Sequence, residues 1–314
     1  MDRLDDLALF LRVLDLGSIS AAARSLGLSV AVASQRLKRL ERELGVRLLQ
    51  RTTRSLHATP EGAELAAQGR VLVEDLEALT SGLRKGARAV TGTLRVTLPS
   101  SFGRQYLSPL LPEFMARHPG IKLSVNLSDQ FVDLVGSGFD LGIRIGALDD
   151  SGLVARRLAV NRRVLCATPD YLRQHGTPRT PADLSEHECL LLVGRHGRQD
   201  LWRLTDGRGH EVVQRVQGHL ESNEGELLRD AVLAGQGIAM HSIWHVHEAL
   251  RAGRLVVVLP GFPLADTGIY AVMPQRRLVP PRVDAFVDFL AGHLGGTPSW
   301  ERGLEAWSGA AAHK

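Results

Sequence analysis

The pattern of apolar positions predicts three short helices in the first 45 residues. The leucines of the first helix recur at helical spacing, at Leu4, Leu7, Leu11 and Leu14. This helix should therefore turn one face inward. Ser18 caps a second helix that runs to about Leu26. Ser29 caps a third helix, and Gly45 ends it as a glycine just past a helix usually does.

The third helix carries an apolar face and a polar face. We expect its apolar side chains to reach the core: Val32, Leu37, Leu40 and Leu44. The polar ones are left toward solvent or a ligand: Ser34, Gln35, Lys38, Arg39 and Arg42. Two short helices joined by a tight turn are what a protein needs to place one helix in the major groove of DNA.

A basic hairpin and a long helix follow. Residues 47–51 and 56–58 predict two strands of a β-wing, joined by a turn over 52–55. Thr59, Pro60 and Glu61 mark a helix start, and the helix should continue to about residue 89. Its leucines are spaced seven, four, three and four apart: Leu65, Leu72, Leu76, Leu79 and Leu83. This seam predicts helix pairing in a dimer; packing on the helix's own domain is the alternative.

From residue 93 strand and helix patterns alternate, after a hinge at 90–92. Alternation of this kind predicts an α/β architecture with mainly parallel sheets, as one domain or two subdomains. A short helix is expected over 131–136, another over 241–252 and a last one over 281–294. The residues from 294 on predict a weakly ordered tail or a short extra helix.

Charge is concentrated near the N-terminus. The segment from Arg24 to Arg54 contains eight basic residues and two acidic ones, a net charge of +6, whereas the whole chain carries a net charge of +4. This concentration favours a nucleic-acid surface. Cys166 and Cys189 are expected to be buried thiols in a reducing compartment. The sequence shows neither a signal peptide nor an apolar run of membrane-spanning length, so we expect a cytoplasmic protein.

Several motifs resemble the LysR-type transcriptional regulators. The N-terminal ones are Gly17-Ser-Ile-Ser-x-Ala-Ala-x-x-Leu26, Leu40-Glu-x-x-Leu-Gly-x-x-Leu-Leu-x-Arg51 and Thr59-x-x-Gly62. Weaker ones follow in the family's order, including Phe114-x-x-x-His-Pro119, Asp140-Leu-x-Ile-Arg144 and Gly235-x-Gly-Ile-Ala239. The likeness covers about residues 3–293. One departure is Ser29-Val30-Ala31, where many members have Ser-Gln-Pro, so the family's operator sequences do not transfer to this chain.

The resemblance implies an α+β multidomain chain. We expect a winged helix-turn-helix over 1–59, a dimerisation helix over 60–89 and a periplasmic-binding-protein-like α/β domain over 93–293. Its first subdomain would hold 93–162 and 268–293, and its second 163–267, followed by a tail over 294–314. The expected partners are promoter DNA, a small-molecule effector and a second copy through the linker helix, with a homotetramer and RNA polymerase as further candidates. No cofactor, metal or membrane is expected.

The recognition helix reads bases near its N-terminus while the rest of the unit contacts phosphates. Ser34, Gln35 and Lys38 are expected at base edges, with Val30 beside a thymine methyl group. The other predicted contacts are Ser29, Arg36 and Arg39 on the helix unit and Arg51, Thr52 and Arg54 on the wing. Each of these polar side chains has a solvated surface role as its alternative.

Polar residues at strand ends predict an effector site for an organic acid. Free N–H groups and hydroxyls at a helix start suit a carboxylate, and an arginine pairs with one in forked geometry. The expected residues are Ser100, Ser101, Phe102, Ser128, Asp129, Arg144, Gly194 and Asn223. Structural caps are the alternative for the serines. An ion pair with Asp140 or Asp149 is the alternative for Arg144.

An α/β enzyme, metal-dependent or ligand-processing, is the rival class. His241, His245 and His247 cluster, and the first two have a spacing that a metal site on a helix would use. No HExxH motif, P-loop, nucleophile elbow or dinucleotide fingerprint accompanies them. A solute-binding protein would not carry residues 1–90. A winged helix used only for protein contacts fits poorly with the basic segment.

Overall fold

The computed structural model describes residues 2–51, 56–85, 90–130, 132–148, 152–194, 197–274 and 279–303. The N-terminal part contains three helices, a two-stranded wing and a long helix. These are α1 (Asp2–Leu16), α2 (Ile19–Ser25), α3 (Val30–Leu44), β1 (Leu49–Arg51), β2 (Leu56–Ala58) and α4 (Pro60–Lys85). The wing strands pair antiparallel, with Leu49 opposite Ala58 and Arg51 opposite Leu56.

One apolar cluster closes this unit. Leu9, Phe10 and Val13 of α1 are fully buried in it, so α1 buries a wider face than its leucine spacing predicts, while Leu4 is exposed. The prediction for α3 is half wrong. Leu37 and Leu40 are buried as predicted; Val32 and Leu44 are exposed, and Ala33 is buried instead.

Two sheets form the rest of the chain. The first sheet has the strand order β4-β3-β5-β15-β6. Its strands are β3 (Gly92–Leu98), β4 (Ile121–Leu127), β5 (Leu141–Gly146), β6 (Leu153–Asn161) and β15 (Thr267–Pro274). A continuous helical segment links β3 to β4, through α5 (Ser100–Phe102), a π-helical turn (Gly103–Leu107), a 3-10 turn (Ser108–Leu110) and α6 (Leu111–Arg117).

The second sheet has the order β12-β8-β13-β7-β14, with β9 paired to β8. Its strands are β7 (Arg163–Ala167), β8 (Cys189–Gly194), β9 (Gly197–Arg198), β12 (Glu221–Ser222), β13 (Ile238–Ser242) and β14 (Val256–Val258). A separate hairpin pairs β10 (Leu201–Thr205) with β11 (Glu211–Arg215). The helices are α7 (Pro169–His175), a 3-10 turn (Pro181–Glu186), α8 (Gly225–Leu233), α9 (Ile243–Arg251) and the terminal α10 (Pro281–Leu294).

The sheets are mixed, so the prediction of mainly parallel strands is wrong. β3 runs parallel to β4 and β5, whereas β15 runs antiparallel to both β5 and β6. The chain leaves the first sheet through β6 and returns through β15, and the returning strand lies beside the departing one. The chain therefore crosses between the two sheets twice, once after β6 and once before β15. The two crossovers are joined by a hydrogen bond, which the side-chain amide of Asn161 donates to the Thr267 hydroxyl at 2.9 Å.

Two shorter predictions are also wrong. Residues 134–138 form a turn, and residues 132–133 are irregular, rather than the expected helix. His241 belongs to β13, since α9 begins only at Ile243. The segment after α10 also differs from the expected tail, because Trp300 and Glu301 are buried. Among the described residues, no helix combines the length and apolarity that a membrane crossing needs.

Candidate DNA-binding and effector-binding sites

The N-terminus of α3 is an exposed surface that local hydrogen bonds hold in place. The Ser29 hydroxyl accepts a hydrogen bond from the Val32 N–H at 3.2 Å, which caps the helix. Val30 is 46% exposed and Val32 40% exposed. Apolar side chains at an exposed helix start lack a packing role there. Val32, which the sequence pattern assigned to the core, thus lies with Val30 on an exposed apolar surface.

Four of the predicted base and phosphate contacts differ in their surroundings. Gln35 and Lys38 are exposed, and Ser34 is half-buried. Arg39 instead donates from Nε and Nη2 to the Asp6 carboxylate of α1, at 2.8 and 2.6 Å. Because Asp6 is only 3% exposed, Arg39 ties α3 to α1. We therefore revise its role from phosphate contact to helix–helix tether.

Arg36 stands between the two roles. Its Nε lies 3.9 Å from the second Asp6 oxygen, and its side chain is about one-third exposed. A guanidinium at this distance is held loosely, so a phosphate contact stays a prediction for Arg36. Arg51 ends β1; nothing is described of its side chain, and Thr52 and Arg54 lie outside the described residues.

The wing is fixed to the recognition helix by one carboxylate. Glu41 of α3 accepts hydrogen bonds from the backbone N–H groups of Leu48 and Leu49, at 2.9 and 3.2 Å. Thr59 closes the other side: it accepts from the Gly62 N–H at 3.0 Å and donates to the Arg47 carbonyl at 2.6 Å. The wing and α3 are thereby held in one geometry, as docking on a groove and its flanking phosphates requires.

The leucine seam of α4 divides into two parts. Leu65 packs against the N-terminal core, and α4 comes close to α1 at Gly69, where an added Cβ would lie 2.8 Å from a Leu7 methyl group. Beyond that point Leu72 is 60% exposed and Leu76 40% exposed. Leu79 and Leu83 lie in α4, but their side chains are outside the described residues. The first part of the seam thus packs within the chain, while the side chains of Leu72 and Leu76 are exposed.

The predicted effector residues of the first sheet meet at the carboxyl ends of β3 and β4. The Ser100 N–H donates to the Asp129 carboxylate at 3.2 Å. The Ser128 hydroxyl accepts from the Gln130 N–H at 3.2 Å. Ser101 is half-buried in the first turn after β3. The helix start that was predicted to bind a carboxylate therefore already has one from Asp129, and an effector would compete with it.

Two residues of this set do not have the predicted geometry. Phe102 is 2% exposed and packs edge-on against Trp244 and Trp300, at centroid distances of 5.2 and 6.3 Å. Its ring fills the core, so the structure gives it a packing role, and contact with an effector stays a prediction. Arg144 donates to the carbonyls of Ile143 and Val132, both at 3.2 Å. Burial lowers its pKa.

One of the two acids named as alternative partners for Arg144 lies in the described part of the chain. Asp140 accepts from the Arg95 N–H at 2.9 Å and lies 3.5 Å from the Arg282 guanidinium, with both side chains buried. Asp149 is outside the described residues.

Two side chains of the π-helical turn after β3 contact the helices α8 and α9, which follow strands of the second sheet. Tyr106 donates its hydroxyl to the Trp244 carbonyl at 2.7 Å, and burial raises its pKa. Arg104 pairs with Glu226 of α8 at 2.8 Å. The other predicted residues lie in the second sheet: Gly194 ends β8, and Asn223 is exposed just before α8.

A cavity of about 190 Å³, which the sequence did not predict, lies between the second sheet and strand β10 of the hairpin. Its walls combine guanidinium groups with apolar side chains, chiefly Arg163, Arg198, Arg203, Trp202, Met240 and Leu264. Gln199 also lines it, and its amide lies near Gly194, where an added Cβ would be 2.8 Å from it. The signal in the sequence was Arg163, a charge at the start of an apolar strand.

The histidine cluster has no metal-site arrangement. His241 and His245 are buried, with ring centroids 5.3 Å apart. Burial lowers the pKa of His241 to about 3, helped by the nearby His245 and Arg229. Burial also lowers the pKa of His245 to about 4, helped by Arg229. His247 hydrogen-bonds to the Trp244 carbonyl at 3.1 Å. Within the described ranges, no three His, Cys, Asp or Glu side chains are placed to share a metal ion.

Comparisons with known proteins agree with this architecture. Residues 4–63 match the bacterial regulatory helix-turn-helix proteins of the lysR family, and residues 87–295 match the LysR substrate binding domain. The HTH-type transcriptional regulator DmlR of Escherichia coli K12 is 37% identical over 287 residues, which cover 91% of this chain and 93% of DmlR.

Solved structures are similar over the same length. The LysR-type regulator CrgA of Neisseria meningitidis is 33% identical, with a TM-score of 0.59, over 93% of this chain and 99% of CrgA. The full-length virulence activator AphB of Vibrio cholerae is 30% identical, with a TM-score of 0.57, over 92% and 98%. The chain therefore belongs to the LysR family of transcriptional regulators, with a helix-turn-helix DNA-binding domain and an effector-binding domain.

Proposed function

We propose that the protein binds an interrupted palindrome as a homodimer, and that a small organic acid in the effector-binding domain changes this binding. The observation that carries the DNA part is the exposed start of α3, where Val30, Val32, Gln35 and Lys38 lie on a helix fixed to its wing by Glu41. An amide pairs with adenine at two points, and apolar groups contact thymine methyls.

The dimer part is supported by the outward leucines of α4. An exposed, regularly spaced apolar stripe on a helix is what knobs-into-holes pairing covers. Two copies joined through Leu72 and Leu76 would place two recognition helices on one face of the duplex, with half-sites spaced by about a helical turn. A homotetramer and contact with RNA polymerase are extensions of this proposal that need the dimer first.

The acid part is supported by strand-end residues that converge at one edge. Ligands of open α/β sheets sit outside the carboxyl ends of the strands, and Ser100, Ser128 and Asp129 meet there. Because Asp129 already accepts from the Ser100 N–H, an incoming carboxylate would displace it. This displacement would shift the helical segment after β3, which also contacts α9 through the hydrogen bond from Tyr106 to the Trp244 carbonyl.

Sequencing the DNA that the protein retains from a random pool tests the DNA part. An enriched, two-fold symmetric motif is expected, and retention without enrichment of any motif would contradict it. Gln35→Ala should narrow the affinity gap between the enriched motif and a scrambled duplex by about tenfold, the cost of one lost two-point contact. Arg54→Ala should weaken both duplexes alike and lower the salt slope; Arg254→Ala, in the effector-binding domain, is the matched control.

A further inference from the structure

The cavity in the second sheet contains one arginine that stands apart from the others. Arg198 lies 2.7 Å from Glu221, and Arg203 lies 2.7 Å from Glu211. Both of these ion pairs are half-exposed. Asp200, the acid in the cavity wall, lies 3.1 Å from Arg215. Three of the four charged groups around the cavity therefore have an opposite charge of their own.

Arg163 has no such partner. Within the described part of the chain, no carboxylate lies within 4 Å of its guanidinium. Its Nη1 lies 3.8 Å from the Met240 sulfur, a weak acceptor, and its Nη2 donates to the Ala265 carbonyl at 3.2 Å. Its Nε is buried and makes no hydrogen bond among the described residues. Arg163 is half-buried, and a partly desolvated charge with an unsatisfied N–H is costly.

The electrostatics of Arg163 point the same way. Burial lowers its pKa, and Asp266 offsets this only in part. Asp266 itself is exposed and lies 3.5 Å from the neighbouring Arg162. A bound carboxylate would give Arg163 the forked partner that guanidinium groups take.

The rest of the cavity defines the size and polarity of the ligand. Trp202 and Leu264 are buried apolar walls, and Met240 adds a third. A volume of about 190 Å³ is below the range of about 300–1,000 Å³ that holds drug-sized molecules. The cavity therefore suits a compact acid with a short apolar body, while the rim arginines attract anions generally.

We infer that Arg163 binds the carboxylate of a small organic acid in this cavity; the inference rests on the proposed function and gives its acid a site other than the strand ends at Ser100 and Asp129. Arg163 is the first residue of β7, directly after the first crossover, and Ala265 lies just before the second. An acid that takes Nη2 from the Ala265 carbonyl loosens a hydrogen bond at the return crossover. Occupancy of the cavity is thereby coupled to the segments that join the two sheets.

Isothermal titration of the full-length protein tests the site. The probes are benzoate, short aliphatic monocarboxylates and dicarboxylates, with benzamide as the uncharged control and sulfate as the inorganic anion. The wild-type protein should bind at least one acid, and neither benzamide nor sulfate should match its affinity. Failure of every acid, or binding of sulfate alone, would overturn the inference.

Variants separate Arg163 from the arginine that the sequence suggested. Arg163→Gln and Arg163→Met should each weaken acid binding about tenfold to a hundredfold, the range for a charge-assisted contact. The Arg163→Met variant removes the half-buried charge, so we expect it to fold. Circular dichroism checks the fold of both variants. Arg144→Gln and the exposed Arg173→Gln should stay within about threefold of wild type. Unchanged binding in both Arg163 variants, or the large loss in Arg144→Gln instead, overturns the site.

Parallel measurements of affinity for the selected DNA distinguish the two levels of the proposal. If an acid changes DNA binding equally in wild type and Arg163→Gln, the proposed function stands and this site is wrong. If the acid binds through Arg163 and leaves DNA affinity unchanged, the site stands and the regulatory role of the acid is wrong.

Discussion

Arg162 forms an ion pair with Glu301, which connects the first crossover between the sheets to the segment after the last helix. Glu301 is buried, and burial raises its pKa against the opposing effect of Arg162. Beside it, Arg251 donates to the Ser299 carbonyl at 3.3 Å. The segment after α10 is thus held against the first crossover, between β6 and β7.

Glu301→Ala should lower the free energy of unfolding of this domain by about 1–3 kcal/mol, because it leaves Arg162 without its buried partner. The matched control is Asp266→Ala, which removes the exposed carboxylate 3.5 Å from the same arginine and should cost less than about 0.5 kcal/mol. Urea titration followed by tryptophan fluorescence measures both. Equal losses would show that burial of Glu301 contributes nothing.

Acid should destabilise the domain through His241 and His245. Their pKa values are lowered to about 3 and about 4 in the folded state, whereas an unfolded histidine titrates near 6.5. Stability is therefore complete above about pH 6.5 and is lost as the pH falls toward 4, by about 2 kcal/mol per histidine at pH 5. His245→Phe keeps an aromatic ring beside Trp244 and removes one of the two imidazoles that take up a proton on unfolding. Its melting temperature should fall less between pH 7 and pH 5 than that of wild type; parallel curves would contradict this assignment.

Two glycines of the DNA-binding unit should respond differently to alanine. An added Cβ at Gly62 would lie 2.1 Å from the Leu48 carbonyl oxygen, so Gly62→Ala must push α4 away from the wing and should cost more than about 3 kcal/mol. Gly45 has φ +71° with open space around it, so its alanine variant bears only backbone strain of about 1–2 kcal/mol. None of the four tryptophans lies in this unit. Hydrogen exchange of α1 and α3 is the suitable measurement, and equal loss of protection would argue against the clash.

Arg39 and Lys38 are neighbours in sequence with opposite expected roles. Arg39→Ala should destabilise the helix unit by about 1–3 kcal/mol, since Asp6 loses its partner in the core, and should leave the salt slope of DNA binding unchanged. Lys38→Ala should leave stability within about 0.5 kcal/mol and reduce the salt slope by about one if it contacts a phosphate, or not at all if it contacts a base. A reduced slope in a fully folded Arg39→Ala variant would restore its role as a phosphate contact.

Local signals were enough to predict much of the N-terminal unit. Ser18, Ser29 and Thr59 cap helices as expected because a capping hydroxyl acts on N–H groups only three residues away. Arg39 was misjudged for the complementary reason. Its partner Asp6 lies in another helix, and neither charge reveals the other in a linear sequence. Val32 is exposed because Ala33, and not Val32, has helical spacing to the buried Leu37 and Leu40.

The effector-binding domain shows the same limit over longer distances. The strand and helix alternation expected from residue 93 fits β3, β4 and β5, but it did not indicate β6, because the adjacent Arg156 and Arg157 interrupt the apolar run of that strand. The hairpin β10–β11 was missed as well, although Trp202 and Leu204 alternate inward along β10. The cavity beside Arg163 is built from segments at least 24 residues apart in the chain, so the sequence shows Arg163 as a charge at a strand start but not the residues that surround it.

The burial of Trp300 bears on where this protein can be cut. The match to the LysR substrate binding domain ends at residue 295, yet the Trp300 indole is 1% exposed and lies 4.5 Å, centroid to centroid, from the ring of Tyr106. A regulatory fragment ended at the family boundary would uncover apolar ring faces of Phe102 and Tyr106 and should aggregate. A fragment that runs through residue 303 keeps Trp300 packed on Phe102 and Tyr106. We expect this longer fragment to be the better one for crystallising the effector-binding domain.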